Sequence, residues 1–300
     1  MQRPYSLVQH NHDNNIMLKL SSHSYRLAPM NIFPAAIDDV TKATVWILRH
    51  LEELNIDPER VVVMGESAGG NLAAALSQRL TFDPLYKNLP KLRAQLLINP
   101  VLQMFDFKTP SYTANSKYNT LLLDTLWMAQ FWNNYMTGNE DLVPKMLENQ
   151  HISNQARKSP FSKLVSHDLL PRGFGKTGDS LHFYSADDSG DESIYDEIAD
   201  TILNPDFAPL MRPLLSDLPE AYIATAEFDV LRDDGVLYAK RLEADGVLTT
   251  WKNYDSILHG EFSINLSQKS ASPINKSGTI VGDILQYLEG ILQAKHNKKT

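Results

Sequence analysis

The sequence predicts an α/β protein with a mostly parallel sheet flanked by helices and a helical insertion. Two stretches, 1–104 and 217–300, contain short apolar runs that alternate with helical segments. This alternation is typical of parallel sheets, because each parallel crossover needs a connecting element, usually a helix. Between them, 105–216 is irregular, rich in aromatic residues and interrupted by prolines. We therefore expect a core made by the two outer stretches and a cap or lid made by 105–216, called the insertion below.

The first outer stretch predicts two helices and two strands. Residues 35–54 form a helix, since their apolar side chains recur at steps of three and four residues. Residues 61–64 are mostly β-branched and form a short buried strand. Residues 71–80 follow as a helix rich in Ala and Leu, and 94–98 form the next strand.

The insertion is predicted to have less regular structure than the two outer stretches. Within the insertion, 121–135 is helical, and the acidic segment 187–200 is expected to be an exposed loop. The aromatic residues of the insertion line an apolar pocket or form the core of the cap itself: Phe105, Phe107, Tyr112, Trp127, Phe131 and Trp132. The last stretch then predicts two strands, 220–226 and 247–254, and two helices, 233–244 and 279–292.

A turn with the pattern Gly-x-Ser-x-Gly joins the strand 61–64 to the helix that follows it. The turn and its flank comprise Gly65, Glu66, Ser67, Ala68, Gly69 and Gly70. Between a strand and a helix this pattern is the nucleophile elbow, in which a strained turn exposes the serine hydroxyl. We expect Gly65 and Gly69 to keep side chains out of the crowded turn. Ser67 is the predicted nucleophile, and the backbone N–H of Ala68 is the predicted oxyanion donor.

A serine hydroxyl needs an imidazole to take its proton and a carboxylate to orient that imidazole. In folds with this elbow the three residues follow in the order Ser, Asp or Glu, His, each after the end of a strand. Asp229 follows the predicted strand 220–226, and His259 follows the last strand. We therefore predict Ser67, Asp229 and His259 as catalytic residues.

Other acidic residues near these positions are alternatives for the catalytic acid. Asp233 and Asp234 stand where residues that cap a helix are expected. Glu227 is expected to point to the opposite side of the chain from Asp229. Glu66, beside the nucleophile, is expected to support the surrounding loops.

Composition excludes several kinds of partner and chemistry. The formal net charge is -8 and no basic patch is available for phosphates, so nucleic acid is not an expected partner. The chain has no cysteine, which excludes disulfides, thiol catalysis and cysteine metal sites. No apolar run reaches the ~18 residues that predict a membrane-spanning helix, so no spanning segment is expected in this chain.

Five motifs carry a resemblance to a known family. They are Tyr25-Arg26-Leu27-Ala28-Pro29, Phe33-Pro34-Ala35, the elbow with its helix start at 65–73, Asp229 through Gly235, and His259-Gly260. In this order they resemble the arylacetamide deacetylase family, in the hormone-sensitive-lipase-like branch of the α/β-hydrolases.

The resemblance implies an α/β-hydrolase fold with a helical cap, and a serine carboxylesterase or amidase activity. The expected substrates are small-molecule esters, arylacetamides or neutral lipid esters, without a metal or organic cofactor. The family's location implies the endoplasmic reticulum. The family's membrane anchor is not in this sequence, so the location stays open between that compartment and the cytoplasm.

One departure from the family concerns the oxyanion. Relatives have a His-Gly-Gly-Gly loop before the Tyr-Arg-Leu-Ala-Pro motif, and its N–H groups supply most of the oxyanion hole. No glycine precedes Gly65 in this sequence, so we expect that loop and the first strands of the sheet to be missing. Two functions stay open: an ester hydrolase whose activity is impaired, or a truncated and catalytically silent protein with a binding role.

Overall fold

A four-stranded parallel sheet forms the centre of the molecule. The computed structural model describes residues 19–117, 123–138, 142–174, 189–262 and 277–293. The strands are β1 (Val62–Glu66), β2 (Ala94–Ile98), β3 (Glu220–Ala226) and β4 (Thr249–Tyr254). They lie side by side in the order β1-β2-β3-β4, and every neighbouring pair is parallel. The predicted parallel sheet is therefore confirmed.

Helices surround this sheet and fill the connection between β2 and β3. Their bounds are α1 (Ala35–Arg49), α2 (Ala68–Phe82), α3 (Pro110–Asn115), α4 (Thr125–Met136), α5 (Leu142–Leu147), α6 (Asn154–Arg157), α7 (Pro160–Leu164), α8 (Glu192–Ile202), α9 (Arg232–Ala244) and α10 (Ser277–Gln293). Short 3₁₀ helices occupy Pro84–Tyr86, His167–Leu169 and Pro209–Met211. Within the described ranges, no helix is long and apolar enough to cross a membrane.

Alternate residues of the central strands pack on opposite faces of the sheet. On one face, Leu96 of β2 and Tyr222 of β3 pack with Ile284 of α10. On the other face, Leu97 and Ile223 pack with helices α2 and α9 and with the insertion. Strands buried on both faces read as continuous apolar runs, which is why their bounds could be predicted from sequence.

The insertion continues the core of the sheet. Its Trp132 and Phe207 belong to the same buried apolar cluster as Leu97 and Ile223. Four of its six predicted aromatic side chains are buried: Phe105, Phe107, Tyr112 and Trp132. The other two lie on α4, where Trp127 is 53% exposed and Phe131 is 50% exposed. Most of these aromatics thus form the core under the insertion.

The expectation of an exposed acidic loop at 187–200 is wrong for the part that the structure describes. Helix α8 begins after Asp191, whose carboxylate accepts a hydrogen bond from the N–H of Ile194 at 3.2 Å. Ile198 and Ile202 of this helix are buried. Isoleucines four residues apart place one face of an acidic segment against the core, and this periodicity outweighs its charge. Residues 187 and 188 lie outside the described ranges.

The carboxyl ends of the strands meet at one edge of the sheet. Glu66, the last residue of β1, is in register with Ile98, the last residue of β2. Ala226 and Tyr254, which end β3 and β4, are in register as well. Loops that follow these strands are therefore brought close together at this edge.

Candidate active site

Ser67 occupies a strained turn between β1 and α2. Its backbone has φ 55° and ψ −118°, a conformation that residues with a side chain rarely adopt. The N–H of Ser67 donates to the carbonyl of Ile98 at 2.9 Å, which ties the turn to β2. The carbonyl of Ser67 accepts from the N–H of Asn71 at 3.0 Å, within the first turn of α2. The local geometry is that of a nucleophile elbow.

The glycines of the elbow have different roles. A Cβ atom on Gly65 would lie 2.0 Å from the carbonyl oxygen of Gly69, so only glycine fits at this position. The expected crowding at Gly69 is wrong, because no described heavy atom lies within 4 Å of a Cβ built there. The crowded second glycine is Gly70, where a Cβ would lie 3.0 Å from Cα and Cβ of Pro100.

The structure brings Ser67, His259 and Asp229 into one chain of hydrogen bonds. His259 Nε2 lies 3.0 Å from Ser67 Oγ, and His259 Nδ1 lies 2.8 Å from Asp229 Oδ2. The carboxylate of Asp229 is fully buried, and its Oδ1 accepts from the N–H of Leu231 at 2.9 Å. A carboxylate only accepts, so Nδ1 carries the proton and Nε2 is left to accept from the serine hydroxyl.

Two opposing effects set the pKa of the His259 imidazole. Burial disfavours the charged imidazolium and by itself lowers the pKa. The charge of Asp229, its hydrogen bond and the charge of Glu66 act in the opposite direction, and the net result is a raised pKa. The imidazole is therefore a stronger base than a histidine that is buried without an acidic partner.

The rival carboxylates bind elsewhere. Asp233 accepts from the backbone N–H of Ser111 at 2.7 Å and pairs with the guanidinium of Arg232 at 2.8 Å. Glu227 accepts from the N–H of Ser256 at 2.7 Å. Neither of these contacts involves the imidazole of His259.

The expected helix-capping role of Asp233 and Asp234 is also wrong. Helix α9 begins after Leu231, and both aspartates are buried in its first turn. Asp234 accepts from the N–H of Leu102 at 2.9 Å and from the Gln103 side chain at 3.0 Å. Burial raises the pKa of Asp234 to about 7, although these donors act against that rise. Both aspartates hold the chain that follows β2, a tertiary role that sequence position alone does not indicate.

Sequence reasoning missed the part that Asn71 plays in holding the elbow helix. Asn71 is buried, and its Nδ2 donates to the carbonyls of Val101 at 2.8 Å and Phe207 at 2.9 Å. This amide joins α2 to the loop after β2 and to the end of the insertion. A polar residue amid the small and apolar residues of a buried helix was the available signal.

Two further features shape the site. Ala68 is the first residue of α2 and directly follows Ser67, so its N–H is among the first four, which have no partner within the helix. After His259, Gly260 has φ +78°, and Glu261 Oε1 accepts from the N–H of Leu258 at 3.2 Å. Within the described residues, no group of three or more His, Asp or Glu side chains could hold a metal ion.

The fold and the order of these residues define the class of the protein. The chain matches the sequence profile of a family described as having the α/β hydrolase fold, over residues 14–163 and 184–263. This match covers more than half of the chain, and the chain belongs to that family. The predicted fold class is therefore confirmed.

Individual relatives agree with this assignment. The chain is 41% identical over 245 residues to neutral cholesterol ester hydrolase 1 from Pongo abelii, a match covering 80% of this chain and 58% of the relative. It is 40% identical over 245 residues to arylacetamide deacetylase from Bos taurus, with the same coverage of 80% and 58%. The predicted resemblance to arylacetamide deacetylases is confirmed, and the chain spans about 58% of the length of these curated relatives.

A solved structure extends the comparison to three dimensions. The chain resembles a thermostable carboxylesterase cloned from a metagenomic library, with a TM-score of 0.58 and 26% sequence identity. The match covers 89% of this chain and 66% of that structure.

Proposed function

We propose that this chain hydrolyses carboxylic esters through an acyl-enzyme on Ser67. The observation that carries the proposal is the continuous set of hydrogen bonds from Asp229 through His259 to Ser67. The names of the relatives and of the similar structure, which include a deacetylase, a cholesterol ester hydrolase and a carboxylesterase, support it.

In the proposed reaction, Ser67 Oγ attacks the acyl carbon while His259 Nε2 takes the hydroxyl proton. The buried carboxylate of Asp229 stabilises the imidazolium that forms. The imidazolium then gives its proton to the departing alcohol, and the acyl group stays on Ser67. A water molecule repeats the sequence on the acyl-enzyme, which releases a carboxylic acid and restores the serine.

The carbonyl oxygen of the substrate becomes an oxyanion in each half of this reaction. Ala68 N–H at the start of α2 is the donor that we assign to it, with the positive end of the helix dipole behind it. Losing one donor of an oxyanion hole typically costs ~10²–10³ in rate. A site with fewer oxyanion donors is expected to be slowed most strongly with substrates that have poor leaving groups.

For the substrate we propose a small-molecule ester or arylacetamide, or a neutral lipid ester. The names of the relatives contain an arylacetamide and a cholesterol ester. We further propose that 1–104 and 217–300 act as the catalytic core and the insertion as its cap. This division is supported by the position of helices α3 to α8 between β2 and β3.

The test is labelling by a fluorophosphonate, which reacts covalently with activated serines. We expect the chain to be labelled and Ser67→Ala to abolish both labelling and hydrolysis of p-nitrophenyl acetate. Ser77→Ala is the matched control, since Ser77 lies on helix α2, which follows Ser67, and its hydroxyl donates to the carbonyl of Ala73 at 2.8 Å. An arylacetamide should be cleaved far more slowly than the activated ester, because its leaving group demands more oxyanion stabilisation.

Three outcomes separate the alternatives. Labelling that persists in Ser67→Ala would refute Ser67 as the nucleophile. A folded chain that shows neither labelling nor hydrolysis would favour the catalytically silent binding protein. Similar rates on the ester and the amide would contradict the expected dependence of the rate on the leaving group.

A further inference from the structure

Helix α3, a short helix of the insertion, packs against the loop that carries Asp229. Asn115, its last residue, is 5% exposed, and its Nδ2 donates to two carbonyls of that loop. The acceptors are the carbonyl oxygens of Glu227 and Asp229, each at 2.9 Å. A side-chain amide carries two N–H groups, so both hydrogen bonds form at once.

Ser111 makes a second set of contacts from the same helix. Its hydroxyl donates to the carbonyl of Val230 at 2.7 Å, and its backbone N–H donates to Asp233 Oδ2 at 2.7 Å. The N–H of Asp233 in turn donates to Ser111 Oγ at 3.2 Å. Ser111, Val230 and Asp233 are all completely buried. Two side chains of α3 thus fix the backbone at four positions around Asp229.

These contacts determine where the carboxylate of Asp229 lies. Its two oxygens are already shared between His259 and the N–H of Leu231, so its remaining freedom is that of the loop backbone. Without Asn115 the carbonyl of Glu227 would lose this donor, and the carbonyl of Asp229 would keep only the N–H of Arg232 at 3.2 Å. Losing hydrogen bonds to buried carbonyls is costly. The loop would then move to find new partners, and the carboxylate would move with it.

We infer that Asn115 is a positioning residue, which together with Ser111 holds Asp229 at hydrogen-bonding distance from His259. The catalytic consequence rests on the ester hydrolysis proposed above. The insertion then does more than cover the site, because it sets the geometry of the acid and base from a helix far away in sequence.

The competing explanation is that Asn115 only stabilises the fold. The two explanations differ in what they predict for His259, whose pKa depends on the approach of Asp229. The charges that raise the pKa of this imidazole are those of Asp229 on the β3–α9 loop and Glu66 at the end of β1. Two further acidic residues lie on the neighbouring loops, Glu227 bound to Ser256 and Glu261 bound to Leu258. Removing Asn115 changes none of these charges. It releases the backbone of Glu227 and Asp229, and of these two Asp229 is the residue whose side chain is hydrogen-bonded to the imidazole.

The experiment compares Asn115→Ala with Asn133→Ala. Asn133 is a completely buried asparagine on α4, and neither its Nδ2 nor its Oδ1 has a hydrogen-bond partner among the described residues. For each variant, kcat and KM are measured with p-nitrophenyl acetate, thermal stability is recorded, and the pKa of His259 is followed by NMR titration. The His259 signal is assigned by its loss in His259→Gln.

We expect Asn115→Ala to lower kcat about 10–100-fold with little change in KM, since small displacements of a catalytic group have effects of this size. The pKa of His259 should fall in this variant, because the charge and hydrogen bond that raise it are weakened. Asn133→Ala should change neither quantity. If Asn115→Ala does not fold, Ser111→Ala replaces it. This change removes the hydroxyl that donates to Val230 and accepts from the N–H of Asp233, and it keeps the backbone N–H that donates to Asp233.

An unchanged pKa of His259 in a folded Asn115→Ala, whatever its activity, would overturn the inference and leave a structural role. Equal effects in Asn115→Ala and Asn133→Ala would overturn it as well. If the unaltered chain has no hydrolase activity but the pKa of His259 falls only in Asn115→Ala, the positioning stands and the proposed function fails.

Discussion

The two ends of the Ser67–His259–Asp229 chain are held in place in different ways. The elbow is built from neighbours in sequence, since the close approach of Gly65 to Gly69 spans five residues and the turn leads directly into α2. Asp229 is held by contacts between distant segments, such as that of Asn115 with Asp229 across 114 residues. The position of Ser67 is thus encoded locally, whereas that of Asp229 depends on how the insertion packs.

From this difference we predict that Gly65→Ala has the largest effect on stability and on labelling of Ser67. The new Cβ would lie 2.0 Å from the Gly69 carbonyl oxygen and 2.2 Å from its carbon, both in the backbone. Because backbone atoms cannot rotate away, we expect the elbow to be lost, along with more than about 3 kcal/mol of unfolding free energy. Chemical denaturation measures the stability, and fluorophosphonate labelling reports on the elbow.

Gly69→Ala is the matched control for this substitution. Its Cβ would meet open space, and alanine favours a helix over glycine by roughly 1 kcal/mol. We expect this variant to fold at least as stably as the unaltered chain. A Gly65→Ala protein with normal stability and labelling would show that the elbow is not fixed by this local contact.

The second-largest effect is expected from Asp229→Asn, at the other end of the Ser67–His259–Asp229 hydrogen bonds. An asparagine can donate to Nδ1 and stabilise the wrong imidazole tautomer, and in a Ser-His-Asp triad this change lowers kcat about 10⁴-fold. The pKa of His259 should fall, since the charge and hydrogen bond of Asp229 raise it. Only the neutral imidazole accepts a proton, so the acidic limb of the pH profile of kcat/KM should move to lower pH.

Glu227→Gln is the control on the same loop. It removes one negative charge, and its remaining carbonyl oxygen still accepts from the N–H of Ser256. We expect kcat and the pH profile to change little. A loss of kcat in Glu227→Gln as large as that in Asp229→Asn would mean that Glu227, rather than Asp229, is the catalytic acid that orients His259.

The same contrast explains which parts of the molecule could be predicted from sequence. The strands 94–98 and 220–226 agree with β2 and β3, because strands buried on both faces leave continuous apolar runs. The three residues of the hydrogen-bonded chain follow from a local motif and from the order of strand ends. The predicted roles of Asp233 and Asp234 were wrong, because contacts with distant segments decide them. The predicted crowding at Gly69 was wrong, because a Cβ at that position would meet open space.

Asn115 and Asn71 were missed for the same physical reason. Each amide satisfies two carbonyls that belong to distant segments. Neither a helical period nor a motif shows which backbone groups remain unsatisfied once the chain has folded. Such residues become apparent only when the buried carbonyls of the structure are assigned to their donors.

The smallest expected effect comes from Glu66→Gln, which changes the elbow side of the site without touching its backbone. Glu66 ends β1 and raises the pKa of His259 through its charge alone, whereas Asp229 contributes both a charge and a hydrogen bond. Glutamine keeps the size of the side chain and removes the charge. The raised pKa should therefore fall, and the acidic limb of kcat/KM should move to lower pH by less than in Asp229→Asn. The plateau rate at alkaline pH should stay almost unchanged, because the imidazole is neutral there with or without Glu66.

Glu261→Gln is the control, since its side-chain oxygen still accepts from Leu258 and only the charge after His259 is removed. If Glu66→Gln lowers the plateau rate and leaves the limb in place, Glu66 acts on the shape of the elbow rather than on the charge of the base.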